Sequence, residues 1–365
     1  MKKYLKYIAI VLVLAVGYKV ADKVLDKVYL SKYDIVDYTG DTRYSTVNEV
    51  MDKRFKKSDT AILVNTNYLN QAIAVSPYAY SNDIPVLYTE KNKIPEPVYE
   101  ELERLGVKKV IMIGGVNYIS NVVTRSLDRS GYETDRIVDS GGINFSVKMA
   151  EMMDDQKNID SIAVVTDDEL DIPNGISFLP VAQTQNIPIM VTTNSDDDII
   201  KLQKFVKKHN IKKTYLVGIN NYYNTNIEKT LPGVVRISGK DRYDINRKIM
   251  DKFFNDKNNK KVYVSKGGEV IHKRHIAPGQ LINALAIAPL ASDNKAPLMY
   301  IDENYFSSDE SRLINEKGYK EINQVGFKIE RRNFFNVERF KVFTTIVLIL
   351  ISLLMVIRLI RFKVK

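Results

Sequence analysis

Short apolar runs alternate with longer amphipathic stretches along most of this chain, and the alternation is written three times. In the first pass, Ala61 to Val64 is a short apolar run and Asn70 to Asn82 is alanine-rich at helical spacing. Pro85 to Tyr88 reads as a second strand, since a proline at a strand's first position costs no ladder bond. Pro97 suits the first turn of a helix whose Val98, Leu102 and Leu105 share one face, and Gly106 ends it. Val110 to Ile113 is a third strand, Ser120 to Arg129 a further helix and Arg136 to Val138 a fourth short strand. The second pass gives strands at Ala163 to Val165 and Ile189 to Val191, then a helix whose first turn carries Asp196, Asp197 and Asp198, where carboxylates suit the macrodipole. In the third, Ser307 and Glu310 form a capping box.

Four marks recur in the same order. Prolines stand eight apart at Pro77/Pro85, Pro180/Pro188 and Pro289/Pro297. An asparagine precedes each pair, at Asn70, Asn174 and Asn283. A Lys- or Tyr-led apolar strand ending in glycine follows, at Gly114, Gly218 and Gly326, and a glycine-led phrase opens each unit at Gly40, Gly141 and Gly239. Such repetition fixes the fold question first. It predicts an α/β chain of three tandem repeat domains with mainly parallel sheets, at 36–137, 138–236 and 237–330, each long enough for a core of its own. The third unit departs by a long insertion, Lys266 to Gln280, which holds His272 and His275 and reads as an exposed loop.

Composition changes this picture at the ends. The net charge is +10, but residues 1–27 hold six Lys against two Asp and residues 328–365 hold nine Lys/Arg against two Glu, so the body is close to −1. A near-neutral body excludes the basic footprint of nucleic-acid binding. Val342 to Ile357 is uncharged and rich in Ile, Leu and Val, which predicts a transmembrane helix over 341–361. Lys2, Lys3 and Lys6 before the apolar run Tyr7 to Val16 predict a signal peptide or signal anchor over 1–28. The absence of cysteine excludes disulfides and thiolate chemistry.

The polar marks carry the candidate chemistry. Arg43-Tyr44 and Arg242-Tyr243 follow their glycines at equal spacing, and a guanidinium suits carboxylate or phosphate. The structural alternative is that each arginine pins one unit to the next through backbone carbonyls and each tyrosine packs in the joint. The second unit reads Gly142-Ile143-Asn144-Phe145 there, so a site using this pair exists at most twice. Asn70, Asn174 and Asn283 read either as helix caps or as amides lining a crevice at the carboxyl end of a sheet, where ligands of open α/β sheets bind. The two histidines sit beside Lys273 and Arg274, and no metal is expected. Asp167, Asp168, Glu169 and Asp171 read as a solvated loop. No dinucleotide or phosphate loop and no recurring nucleophile, base and acid are present, so neither cofactor nor catalysis is expected.

The order of these phrases resembles the cell wall binding repeat type 2 of surface proteins from clostridia and related Gram-positive bacteria. The resemblance runs through Asn70, Ala74, Pro77, Pro85-Val86-Leu87, Leu105-Gly106-Val107, Gly114-Gly115 and Arg43-Tyr44, and covers about 36–330 in three copies, the second degenerate. It implies a pseudo-threefold arrangement and non-covalent binding of an anionic wall polysaccharide or teichoic-acid-like polymer. It also implies that the apolar triplets Val86-Leu87-Tyr88, Ile189-Met190-Val191 and Leu298-Met299-Tyr300, represented by Leu87 and Met299, lie at the polymer surface. The expected protein is non-enzymatic and held at the cell membrane, its body facing the wall. Arg43, Tyr44, Arg242 and Tyr243 with Asn70, Asn174 and Asn283 are the binding candidates. The alternatives are a protein-docking scaffold with envelope partners and, further off, a sugar-nucleotide-using envelope enzyme.

Overall fold

The computed structural model describes residues 30–138, 143–219, 223, 227–272, 275–276 and 278–331. Both segments expected at the membrane, 1–28 and 341–361, lie outside these residues. Among the described residues no helix is long and apolar enough to cross a membrane.

Three four-stranded parallel sheets carry the chain. The first unit contains β2 (Thr60–Asn65), α2 (Leu69–Ser81), β3 (Val86–Thr89), α3 (Glu96–Leu105), β4 (Lys109–Ile113), α4 (Asn121–Arg129) and β5 (Glu133–Ile137). The second repeats this as β6 (Ser161–Thr166), α6 (Ile172–Thr184), β7 (Ile189–Thr192), α7 (Asp196–Lys208), β8 (Lys213–Val217), α8 (Ile227–Thr230) and β9 (Val234–Ile237). The third has β10 (Lys261–Lys266), α10 (Pro278–Asp293), β13 (Leu298–Ile301), α11 (Ser308–Lys317) and β14 (Glu321–Val325). Its sheet is completed from the other end of the chain by β1 (Asp34–Tyr38), which pairs in parallel with β14 from Asp34↔Glu321 to Tyr38↔Val325. Sheet orders β3-β2-β4-β5, β7-β6-β8-β9 and β13-β10-β14-β1 are thus equivalent, and the three units close on one another. The expected unit boundary near residue 36 falls inside a strand of the third sheet.

A helix follows each fourth strand, which the sequence reading did not foresee: α1 (Arg43–Arg54), α5 (Ile143–Asp154) and α9 (Arg242–Phe253). Each packs against the alanine-rich helix of the preceding unit, α1 on α10, α5 on α2 and α9 on α6. The alanine-rich helices α2, α6 and α10 also pack on one another, and small residues let them approach: a Cβ on Gly175 would stand 3.3 Å from Ile73. One continuous hydrophobic cluster therefore runs from Tyr38 to Val325 through all three units, in place of three separate cores. A second cluster, with Val262, Met299, Ile314 and Ile322, fills the space between the third sheet and α11.

The proline pairs acquire a local reason. The first proline of each lies inside its helix, four residues from the end, where its missing N–H forfeits one bond and helps stop the helix. Two residues before the second proline the backbone turns left-handed, at Asp83, Asn186 and Lys295. Asp and Asn tolerate that region and lysine does not. Lys295→Gly is expected to raise stability by about 0.5–1 kcal/mol, the relief of strain exceeding the added chain entropy, read as a higher urea midpoint. The long insertion of the third unit is not an irregular loop throughout, since β11 (Val270–His272) and β12 (His275–Ile276) pair as a short antiparallel hairpin.

Candidate functional site

The carboxyl ends of the strands and the starts of α2, α6 and α10 share one face of the molecule. There a cavity of about 490 Å³ is lined by Asn67, Tyr68, Leu69 and Asn70 of the first unit, Asp167, Glu169 and Ile172 of the second, and Pro278 and Leu281 of the third. Its volume falls in the ~300–1,000 Å³ range of small-molecule clefts.

The first unit's wall of this cavity is held by a chain of contacts that starts at a glycine. Gly114 has φ +87°, and a Cβ there would stand 2.9 Å from the Tyr118 ring, so its lack of a side chain lets Tyr118 lie against the strand end. Tyr118 then meets Tyr68 edge to face, centroids 4.4 Å apart. Buried Asn65 locks both loops, donating from Nδ2 to the Tyr118 carbonyl at 2.5 Å and accepting the Asn67 N–H at 2.9 Å.

Arg43 is exposed and opens α1, its guanidinium 5.6 Å from the Tyr44 ring. Its Nη1 would lie 3.8 Å from a Cβ on Gly279, next to the cavity-lining Pro278. The fold therefore brings Arg43 and Asn70 to the rim and wall of one cavity. Asn70 is not the helix cap; its Oδ1 accepts the Gln71 N–H at 2.9 Å.

Arg242 is placed differently. Its Nη2 donates to the Gly268 carbonyl at 2.5 Å and to the Tyr243 hydroxyl at 3.2 Å, and the guanidinium lies 4.7 Å from the Tyr243 ring. It pins the loop after β10 within the third unit, and not one unit to the next as the structural alternative has it. The tyrosines share a role: Tyr44 donates to Glu90 Oε1 at 3.3 Å, and Tyr243 donates to Asp302 Oδ1 at 2.8 Å. Burial, reinforced by these carboxylates, pushes both phenols up. Glu90 and Asp302 each stand five residues after the second proline of their unit. In the second unit that position is Thr193, and the tyrosine is gone as well.

Hydrogen bonds fix the register there. Ser146 accepts the Val191 N–H at 3.0 Å as Asn246 accepts that of Tyr300 at 2.9 Å, and Lys148 reaches the Val138 carbonyl as Lys248 reaches that of Ser238. Ile143, fully buried, thus takes the place of Tyr243, and Asn144 does not replace the arginine. Donor and acceptor were lost together, which identifies the Tyr–carboxylate pair as a structural clasp.

The asparagines also need a shift of register. Asn174 and Asn283 stand six residues before the first proline of their units, and in the first unit that position is Gln71, not Asn70. Each of the three amides precedes a small residue, Ala72, Gly175 or Ala284, and each has a side-chain oxygen buried without a protein partner. Asn283 fills the space beside Gly326, where a Cβ could not fit. Asn174 is wholly buried and donates to Asp171 Oδ1 at 2.7 Å. Asp171, expected in a solvated loop, is itself wholly buried beside Gly218. Counting back from each proline would have found Gln71.

The apolar triplets are corrected outright. Leu87 and Met299 are each 1% exposed, and Met190 is fully buried. They lie in the middle of parallel strands covered on both faces, so they do not present a surface. The third residue of the last triplet, Tyr300, reaches into the second unit and donates to the Pro173 carbonyl at 2.9 Å. The triplets serve packing within and between units.

The family description "Cell wall binding domain 2 (CWB2)" matches residues 38–124 and 236–329. By these two stretches the chain belongs to the cell wall binding domain 2 family. The unmatched middle is the degenerate second unit. Among curated proteins the chain is 25% identical over 289 residues to the N-acetylmuramoyl-L-alanine amidase LytC of Bacillus subtilis (strain 168), covering 79% of this chain and 54% of the amidase. It is 24% identical to the amidase enhancer of the same organism, over 58% of this chain and 29% of that protein. Among solved structures, Cwp8 from Clostridium difficile superposes with a TM-score of 0.70 at 25% identity, over 81% of this chain and 50% of that one. Cwp6 from the same organism superposes with the same score at 22% identity, over 82% and 46%, and shows the fold alone. The chain therefore spans about half the length of LytC and of both solved proteins, and less of the enhancer. Membership of a cell wall binding family implies binding to wall polymer and an extracytoplasmic or surface location.

Proposed function

We propose that this protein is a non-enzymatic binder of an anionic cell-wall glycopolymer, held at the membrane by its terminal segments, with its binding face where α2, α6 and α10 begin. The observation that carries the reading is the position of Arg43. It is an exposed guanidinium at the junction of the first and third units, beside a cleft that holds Asn70. Arg242, engaged with the Gly268 carbonyl, is a supporting residue of the third unit and not a second polymer contact. A body charge near −1 gives no broad attractive field, so affinity for an anionic chain must come from such local contacts. The likeness to LytC spans about half of that amidase and lies along the repeats, which supports a binding role without the amidase activity.

The full chain is expected to sediment with native wall sacculi and to lose that binding when anionic polymers are chemically stripped from them. Arg43→Ala is expected to weaken sedimentation about tenfold, as loss of one charge-assisted contact, without shifting the urea midpoint. Binding that survives stripping would refute the reading. A patch of exposed valines, Val116, Val122 and Val138, at the carboxyl end of the first sheet favours a second reading, docking of an envelope protein. Crosslinking from that patch to a protein, with no loss of binding in Arg43→Ala, selects it.

A further inference from the structure

In the first unit α4 leads into β5, packs on that strand and is tied to α3 by a 2.6 Å hydrogen bond between Tyr99 and Ser126. In the second unit α8 leads into β9. β1 is their counterpart in the third sheet, and among the described residues only the helical Leu30 and a turn precede it. Parallel sheets are covered on both faces, so a helix is needed beside α11 where α4 stands beside α3.

Strand register fixes the comparison. Glu133 pairs with Lys109 at the start of β4, and Asp34 pairs with Glu321 at the start of β14. Gly233 holds this place in the second unit, one residue before Val234, the partner of Thr214. Six, ten and fourteen residues before Glu133 stand Leu127, Val123 and Ile119, each at most 1% exposed, on the inner side of α4 and its approach. The same steps before Gly233 lead to Ile227 and Tyr223, both buried, and to Ile219, which packs on the core. Before Asp34 they lead to Val28, Val24 and Val20. Residues four apart share one helix face, so the apolar stripe recurs in all three units. The outer side agrees. Asn121, Val122, Arg125 and Asp128 are exposed on α4, and Asp22, Lys23, Asp26 and Tyr29 take those places. α4 ends at Arg129, and the same count ends its counterpart at Leu30, which packs against the second cluster. Tyr33 donates its N–H to the Leu30 carbonyl at 2.9 Å, and its buried ring meets Phe306, just ahead of α11, edge to face at 6.1 Å.

We propose that residues 20–30 form the missing helix of the third unit, docked beside α11 over β14 and β1 through Val20, Val24 and Val28. The start of the chain then supplies both a helix and a strand to the last unit. Ala21 stands where Ser120 caps α4, so no side-chain cap separates this helix from the apolar run Tyr7 to Val16. Any anchor formed by that run is joined to the body by packed helix and not by a free linker, which fixes the tilt of the body. A leader cut after Ala15 or Gly17 leaves the helix whole, whereas removal of all of 1–28 would strip it from the third sheet.

The chain has no cysteine, so paired cysteines can be placed at will. The counterparts of Tyr99 and Ser126 are Ser311 and Lys27. In the full chain in detergent micelles, Lys27→Cys with Ser311→Cys is expected to be joined by a short bis-maleimide several-fold more than Asp26→Cys with Ser311→Cys. Val24→Asp puts a charge in the buried stripe and should speed amide exchange of Ile322 to Val325 about tenfold or more. Asp26→Lys, on the outer side, should leave that exchange unchanged. Val24→Ala should act in the same direction by less, and replaces Val24→Asp if the latter does not fold. A helix lying only in the micelle would leave exchange in β14 indifferent to both Val24 changes, and that result, or no crosslink from Lys27→Cys, would overturn the proposal. A mature chain from cells that begins at or before Val20 supports it, and one that begins later overturns it. No readout involves a polymer, so failure of the wall-binding reading leaves this test intact.

Discussion

Val36→Pro is expected to destabilise the protein by about 1–3 kcal/mol, the cost of leaving its ladder partner unsatisfied, whereas Asp37→Pro, one residue on, should cost less than about 1 kcal/mol. The contrast follows from how β1 closes the molecule. Asp34 donates its N–H to the Lys320 carbonyl at 2.8 Å, and the Gly326 N–H reaches the Tyr38 carbonyl at 3.2 Å. In a parallel ladder the bonded residues alternate, so the Val36 N–H points at β14 and the Asp37 N–H points to solvent. The side chains of β1 divide in the same way. Ile35 packs against the cluster that holds Tyr33 and Ile322, while Val36 and Tyr38 join the central cluster. A proline at Val36 breaks a ladder bond in the strand that joins both clusters. The edge of β14 should then open first, with the amides of Ile322 to Val325 exchanging faster than those of β4 or β8. Equal costs for the two substitutions would show that β1 adds packing without sealing the third sheet.

This closing strand marks the limit of what the sequence made legible. The strands and helices inside each unit followed from period and from proline and glycine, because those signals act over a few residues. Val98, Leu102 and Leu105 are all buried on one face of α3 as their spacing demands, and Ser307 with Glu310 forms the capping box. Pairing of β1 with β14 joins residues almost three hundred apart, and no local signal carries it. The same applies to the clasps. Tyr44 with Glu90 and Tyr243 with Asp302 are visible only once strand ends are superposed, and their joint loss in the second unit reads in sequence as plain degeneration. The triplets misled for a related reason. An apolar run bounded by proline reads alike as a buried strand and as a sticky surface, and only the covering helices decide. Of the candidate binding residues, Arg43 and Asn70 came together at one cleft, while Arg242 proved occupied, Asn174 buried and Asn283 half-buried beside Gly326. Tyr68 and Asp167, which shape that cleft, lie in loops with no repeat signature at all.

Asp171→Ala is expected to cost about 3–5 kcal/mol, the range for removing a buried charged group whose partners stay behind. Its carboxylate, wholly buried, accepts from the Thr166 hydroxyl at 2.8 Å, from Asn174 Nδ2 at 2.7 Å and from the Ile219 N–H at 3.0 Å. Truncation strands these donors and empties the space that Gly218 leaves for the side chain. Asp171→Asn keeps the shape but puts one amide donor among donors, and about 1–2 kcal/mol is expected. The pH dependence carries the sharper test. Burial pushes the Asp171 carboxyl above its ordinary value of 3.8, and the hydrogen bonds from Thr166, Ile219 and Asn174 only partly counter it. A carboxyl raised in the folded state holds its proton there when the unfolded chain has already released it. Its contribution to stability therefore grows as pH falls from neutral through the folded value, is complete below about 3.9 and is lost again as pH rises. The deficit of Asp171→Asn relative to the unaltered protein should accordingly widen between pH 7 and pH 4, measured by urea unfolding followed through tyrosine fluorescence. A deficit that narrows on acidification would mean that the three hydrogen bonds outweigh burial. Asp171 would then be a stabilising anion at neutral pH, and not a strained charge held in place by the fold around it.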